Sequence, residues 1–216
     1  FEIRNGRVCS MAEKMKIAFA TDGIFPEAIG GIQRYSRLIL EELGGYDNLT
    51  IKVIHPHHGI EFFKEFPSIE EVTIDDIDTS KNYLKECYKY SKRVYDIIKA
   101  EEFDVIYAQG LTVWHGLKDF KGKVINNPHG LETFQALTKK DHAVGYPFRK
   151  VQKKLFKNSE LVASEGGRLT EILQTIVPAQ KVRFVPNAIN LPSNSTNKTK
   201  PDKEQPVQFF FIARWA

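Results

Sequence analysis

The chain has 216 residues, a net charge of +4, 42% hydrophobic and 27% charged residues. That length suits one domain of ordinary size, or one domain with a piece of another, and carries enough apolar residues for a sizeable core. The mild charge excludes a strongly basic nucleic-acid binder, and only two cysteines exclude a disulfide scaffold and point to a reducing compartment.

Residues 1–14 read as a tail or tag outside the fold. "KIAFAT" from Lys16 is a first strand, and Ile32, Tyr35, Leu38, Ile39 and Leu43 then recur at helical spacing on one face. "LTIKVIHP" is a second strand, and within 61–77 "EVTIDDI" is the best strand. Thr79 or Ser80 is placed to cap a helix running to Ala100, with Leu84, Tyr88, Val94, Ile97 and Ile98 on its apolar face. "FDVIYAQG" and "GKVINNPHG" are strands, and a helical region is expected from about Leu131 to Asn158. "ELVASE", "GRLTEILQTI" and "KVRFVPN" complete a strand–helix–strand unit. The strands are nearly continuous apolar runs, as strands buried on both faces are. The expected class is therefore α/β, a Rossmann-like doubly wound, mainly parallel sheet with helices on both faces over residues 15–190. Residues 191–206 are polar and rich in Asn, Ser, Lys and Pro, and read as a linker. Residues 207–216, "VQFFFIARWA", read as the first strand of a second, truncated domain.

No apolar run reaches the ~20 residues of a membrane helix, and "FEIRNGRVCS" lacks the apolar core of a signal peptide. The expected location is the cytoplasm, with membrane association open for one basic stretch. That stretch, 139–157, holds seven Lys/Arg against one Asp, interleaved with Tyr146, Phe148, Val151, Leu155 and Phe156. It suits an anionic membrane surface, but an amphipathic helix with a solvated basic face is the commoner explanation.

Ligands of open parallel sheets bind beyond the carboxyl ends of the strands. Asp22, Gly30, Gly31, Gln109, His129, Glu132, Glu165 and Asn187 all fall there. The turn after strand one, "TDGIFPEAIGG", lacks G-x-G-x-x-G spacing, and the second strand ends in "HPHH" rather than a carboxylate. A nicotinamide enzyme is therefore disfavoured, and no phosphate-loop motif is present. His55, His57 and His58 have no matching second ligand cluster, so no metal is expected. Gly30 and Gly31 admit three readings: a turn needing positive φ, close helix–strand packing, or close approach of an anion to a helix N-terminus. His129 is either a structural turn residue or a group that hydrogen-bonds a polar ligand. Glu132 and Glu165 suit acid–base work or simple surface positions.

Taken in order, "KIAFATDGIFPEAIGGIQRYSRLILEEL", "DVIYAQG", "INNPHGLETF", "LVASEGGRLTEIL", "VRFVPNAIN" and "FFFIARWA" resemble the N-terminal half of family-four glycosyltransferases of the GT-B fold. The resemblance covers Lys16 to about Trp215. It implies a two-lobe enzyme whose N-terminal lobe receives the acceptor and whose C-terminal lobe binds a nucleotide-sugar donor. It also implies reaction in the cleft between the lobes, with retention at the anomeric carbon and no essential metal or other cofactor. By the same resemblance Gly30 and Gly31 approach the donor diphosphate, His129 contacts the donor sugar as the catalytic-site histidine, and Arg214 pairs with donor phosphate. The chain departs from the family at Ala213, at Ala188 and at Asn190, where the family usually has Gly, Gly and Asp. The implied partners are a nucleotide-sugar donor and a carbohydrate, lipid or small-molecule acceptor, with no nucleic acid. This lobe alone is expected to be inactive. The alternative is a non-enzymatic module that binds a sugar phosphate or nucleotide.

Overall fold

Seven parallel strands form the sheet expected from the alternating apolar runs. The computed structural model describes residues 14–187, together with a two-residue antiparallel ladder between Ile3–Arg4 and Arg7–Val8. The strands are β1 (Met15–Ala20), β2 (Leu49–His55), β3 (Ile69–Thr73), β4 (Val105–Gln109), β5 (Val124–Asn127), β6 (Leu161–Ser164) and β7 (Val182–Phe184). Their order across the sheet is β3-β2-β1-β4-β5-β6-β7. β1 therefore lies between β2 and β4, pairing Phe19 with Val53 on one side and with Tyr107 on the other. The strand order reverses there, and this is where a doubly wound sheet opens a cleft.

Alternation along β1 divides the core between the two faces. Ile17 and Phe19 join Leu40, Ile51, Val53 and Phe63 beneath helix α1 (Gly31–Gly44). Ala18 and Ala20 join Tyr90, Val94, Ile106, Leu155, Phe156 and Leu173 on the other face. That face is covered by α2 (Tyr83–Lys99), α4 (Tyr146–Asn158) and α5 (Gly167–Gln174). Each fully buried Leu, Ile or Phe contributes about 1.5–3 kcal/mol, so both layers hold the strand ends in place.

Three boundaries differ from the sequence expectation. α2 is capped by Asn82, whose Oδ1 accepts from Lys85 N at 3.0 Å, so neither Thr79 nor Ser80 is the cap. The edge strand β3 runs from Ile69 to Thr73 and ends before the acidic half of "EVTIDDI". The helical region after Leu131 is broken into a 3₁₀ turn (Glu132–Phe134), a short helix α3 (Lys139–Val144) and α4. Gly145 separates the two helices, with an added Cβ meeting Asp141 O at 3.1 Å. The expected linker 191–206, the strand 207–216, Ala188, Asn190, Ala213 and Arg214 lie outside the described residues.

Candidate functional site

His129 follows β5 and takes a left-handed backbone, φ 56°. Positive φ is costly for a residue with a side chain unless its surroundings enforce it. Here Asn127 does part of that work, its Oδ1 accepting from His129 N at 3.2 Å. The imidazole is 8% exposed and fixed from three directions. Nδ1 lies 3.0 Å from Glu165 Oε1, beyond the end of β6. Nε2 meets the side-chain amide of Gln109 at the end of β4. The ring stands edge-on to Tyr35 of α1, centroids 4.9 Å apart. Three elements, β4, β6 and α1, thus converge on one side chain.

A second layer supports this group. Tyr35 and Tyr107 share a hydroxyl–hydroxyl hydrogen bond of 2.8 Å, and Asn127 Nδ2 donates to the Tyr107 hydroxyl at 3.2 Å. Tyr107 stacks on Phe19, its register partner across β1 and β4, at 5.2 Å. Burial raises the pKa of both tyrosines, so their hydroxyls stay protonated and act as hydrogen-bond joints.

Burial lowers the pKa of His129, and the Glu165 carboxylate opposes that pull. The imidazole is therefore neutral near pH 7, with Nδ1–H donating to Glu165 and Nε2 left as a lone-pair acceptor. The Gln109 oxygen faces Nε2, while the Gln109 amide nitrogen is buried without a partner. A half-turn of that amide places an N–H on the Nε2 lone pair and suits the neutral ring.

The glycine pair stands one helical turn before Tyr35. Gly30 is extended, φ 171°, and neither it nor Gly31 takes the left-handed backbone that needs a glycine, so the turn reading fails. An added Cβ at Gly31 meets nothing within 4 Å, and one at Gly30 meets only the flexible Gln33 amide, so tight packing is not the reason either. No side chain caps α1 and no acidic residue occupies its first turn. Its leading N–H groups are thus left to something outside the helix. The loop before it is held by His57, whose Nε2 accepts from Ile24 N at 3.0 Å.

The other candidates disperse. Asp22 accepts from Gln33 Nε2 at 3.2 Å, and burial raises its pKa. It lines a narrow cavity with Tyr83, Cys87 and Thr112. Burial pushes the Cys87 thiol up to about 11, which leaves it unreactive at neutral pH. Glu132 is exposed, and its side chain makes no hydrogen bond among the described residues. Asn187 is exposed at the last described position. Among the described residues no three His, Cys, Asp or Glu side chains gather to hold a metal. His55 and His57 are joined by a hydrogen bond from His57 N to His55 Nδ1, while His58 is exposed, 3.8 Å from Asp75.

No protein-family model and no curated protein matches the chain. Solved structures do. A Listeria monocytogenes protein assigned as a UDP-N-acetylglucosamine 2-epimerase is 17% identical, with 79% of this chain and 45% of that one covered, at TM-score 0.52. UDP-N-acetylglucosamine 2-epimerase from Rickettsia bellii is 10% identical, with 80% and 44% covered, at TM-score 0.54. A glycosyltransferase from Rickettsia africae is 17% identical, with 83% and 44% covered, at TM-score 0.49. The chain spans less than half the length of these structures. The first two likenesses show the fold, the Rossmann-like sheet of GT-B-type enzymes.

Proposed function

We propose that this chain is the acceptor-side lobe of an enzyme acting on a nucleotide-activated sugar, and that the reaction is glycosyl transfer with retention. The observation that carries the reading is the convergence of Glu165, Gln109 and Tyr35 on His129, one turn along α1 from a glycine with open space above it. As the bond to the anomeric carbon breaks, negative charge grows on the leaving diphosphate. The free N–H groups of α1 are already oriented toward such charge, and Gly31 lets it come close. His129 offers a neutral nitrogen for a sugar hydroxyl, reached by displacing Gln109. Arg214, outside the described residues, is proposed to pair with donor phosphate, and no metal or other cofactor enters the reading. Gln109 and Glu165 act through His129, while Asp22, Glu132 and Asn187 remain cleft candidates for the acceptor.

The test uses the full-length protein with UDP-N-acetylglucosamine and other nucleotide sugars. Acceptor-dependent release of free nucleotide supports transfer. Isomerisation of the sugar with the nucleotide retained would make it an epimerase. Binding without either reaction would leave the non-enzymatic module. The isolated lobe is expected to turn over nothing, and sugar transfer by it alone would overturn the two-lobe reading.

A further inference from the structure

Helix α3 (Lys139–Val144) buries none of its own residues, yet it is firmly fastened. At its start Thr138 Oγ1 accepts from Asp141 N at 3.0 Å. At its end the buried Arg149 of α4 donates to His142 O at 2.6 Å and to Thr133 O at 2.7 Å. Removing a guanidinium from water is costly unless hydrogen bonds offset it. A fold that spends such a group on a helix with no buried face is holding its exposed face in position.

The exposed surface of α3 and its flanks is both apolar and basic. Leu137 is 99% exposed, Val144 64% and Tyr146 62%. Lys139 and Lys140 stand between them, and Lys150, Lys153, Lys154 and Lys157 continue along α4, all exposed. None of these six lysines forms an ion pair among the described residues. The apolar face of α4 is a separate matter, because Val151, Leu155 and Phe156 pack into the core. That part of the stretch is the solvated amphipathic helix. The exposed apolar trio belongs to α3 and its flanks. A nucleic acid could stack a base on Tyr146 but gains nothing from the exposed aliphatic Leu137 and Val144, whereas a lipid surface takes apolar side chains and lysines together.

We infer that the α3 platform, Leu137 to Tyr146 with the lysines of α3 and α4, docks on an anionic lipid surface. The platform is tied to the candidate site, since Arg149 also holds Thr133 in the 3₁₀ turn three residues beyond Gly130. A docked lobe would thereby keep the His129 loop near the membrane and favour a lipid-borne acceptor. Only that use of the docking rests on the transferase reading.

Vesicle flotation with the protein tests the docking without any turnover. Phosphatidylcholine vesicles containing phosphatidylglycerol should carry the protein up, and phosphatidylcholine alone should not. Lys139→Glu with Lys140→Glu should cut partitioning by about fivefold or more per lysine. Leu137→Ser with Tyr146→Ser should abolish the binding that survives physiological salt. Lys121→Glu with Lys123→Glu, equal in charge but at the amino edge of the sheet, should change little. Circular dichroism checks that each variant is folded. No flotation of the wild type at low or physiological salt overturns the proposal, as does equal loss in the amino-edge control. Vesicle binding that RNA competes away, and that the Leu137 and Tyr146 changes leave intact, would reassign the patch to a polyanion and also overturn it. Docking without lipid-dependent transfer would sustain the inference and count against the lipid-borne acceptor alone.

Discussion

Two histidines at the same sheet edge meet opposite fates. His55 ends β2, is fully buried, and its Nδ1 accepts from His57 N at 3.2 Å. Its Nε2 lies 3.3 Å from Glu71 Oε1 without hydrogen-bond geometry, while the other oxygen of that carboxylate accepts from Phe62 N and Phe63 N at 2.9 and 3.0 Å. Burial then drives the His55 pKa down to about 4. His129 follows β5 with a carboxylate free to serve it, since Glu165 is bonded to its Nδ1. Residue type and strand-end position are shared, so neither decides the role. What separates them is the carboxylate's partner: Glu165 is hydrogen-bonded to the His129 ring, whereas Glu71 is hydrogen-bonded to the backbone of Phe62 and Phe63 and not to the His55 ring. The β2 end is a packing device, and the β5 end is a positioned imidazole facing α1.

The largest test of that contrast is acid. His55 in the unfolded chain takes up a proton near its ordinary 6.5, but the folded protein resists until about 4. Its contribution is therefore intact above pH 6.5 and lost as the pH falls from 6.5 toward 4. The loss is about 3 kcal/mol at the lower end, from the rule of 1.36 kcal/mol per pKa unit. Denaturant melts across that range should show the decline, and His55→Phe should flatten it. A slope unchanged in the variant would mean that another group carries the acid sensitivity.

Gly31→Val probes the opposite side of the contrast. The fold has room for the side chain, so melting temperature should hold. On the transferase reading, turnover should fall by about a hundredfold, the scale of losing a preorganised donor to developing charge. Unchanged kinetics would return the glycines to a neutral role.

His129→Ala should lower kcat/KM by about ten- to a hundredfold, since an unpaired polar contact costs roughly 1–3 kcal/mol. Its melting temperature should move less than that of His55→Ala, which empties a fully buried site against Phe62. A reversed order, with His129→Ala losing mainly stability, would make His129 a turn residue and erase the distinction between the two ends.

Much of this is legible in the sequence. Apolar runs such as "KIAFA" and "DVIYA" mark buried parallel strands because both their faces are covered, and "NNPHG" marks a strand end. His129, Gln109 and Glu165 were named from that placement alone. Tyr35, Tyr107, Asn127 and His57 were not singled out for the site. Tyr35 carries a helical apolar period, and Tyr107 and Asn127 sit inside strands, so their local pattern describes only burial. Their meeting depends on β4 lying beside β1, a fact of strand order rather than of spacing. The way α3 is held to α4 is hidden for a related reason. Gly145 and Pro147 mark the break locally, but the tie across it does not show in sequence, because Arg149 reaches back to carbonyls that no periodicity displays.

The smallest effect isolates the Glu165 contact. Glu165 supports the protonated imidazole and holds the proton of the neutral ring on Nδ1, opposing the downward pull of burial. Tyr35, the ring neighbour from α1, has a pKa raised by burial and brings no charge near neutrality. In Glu165→Gln the charge is gone while the shape remains, so burial acts unopposed and the His129 pKa drops further. Near pH 7 the ring is neutral in both proteins, and kcat/KM should fall only about fivefold, the worth of one hydrogen bond of roughly 1 kcal/mol. Below that pH the two diverge in a defined direction. If neutral His129 is the working form, the acid limb of the rate profile should move to lower pH in the variant. Nitrogen-15 shifts of the imidazole should show less preference for the Nδ1–H tautomer, because an amide can either donate or accept. A limb that stays in place, with the tautomer also unchanged, would show that the 3.0 Å contact holds Glu165 rather than His129, and the carboxylate would lose its part in the contrast with Glu71.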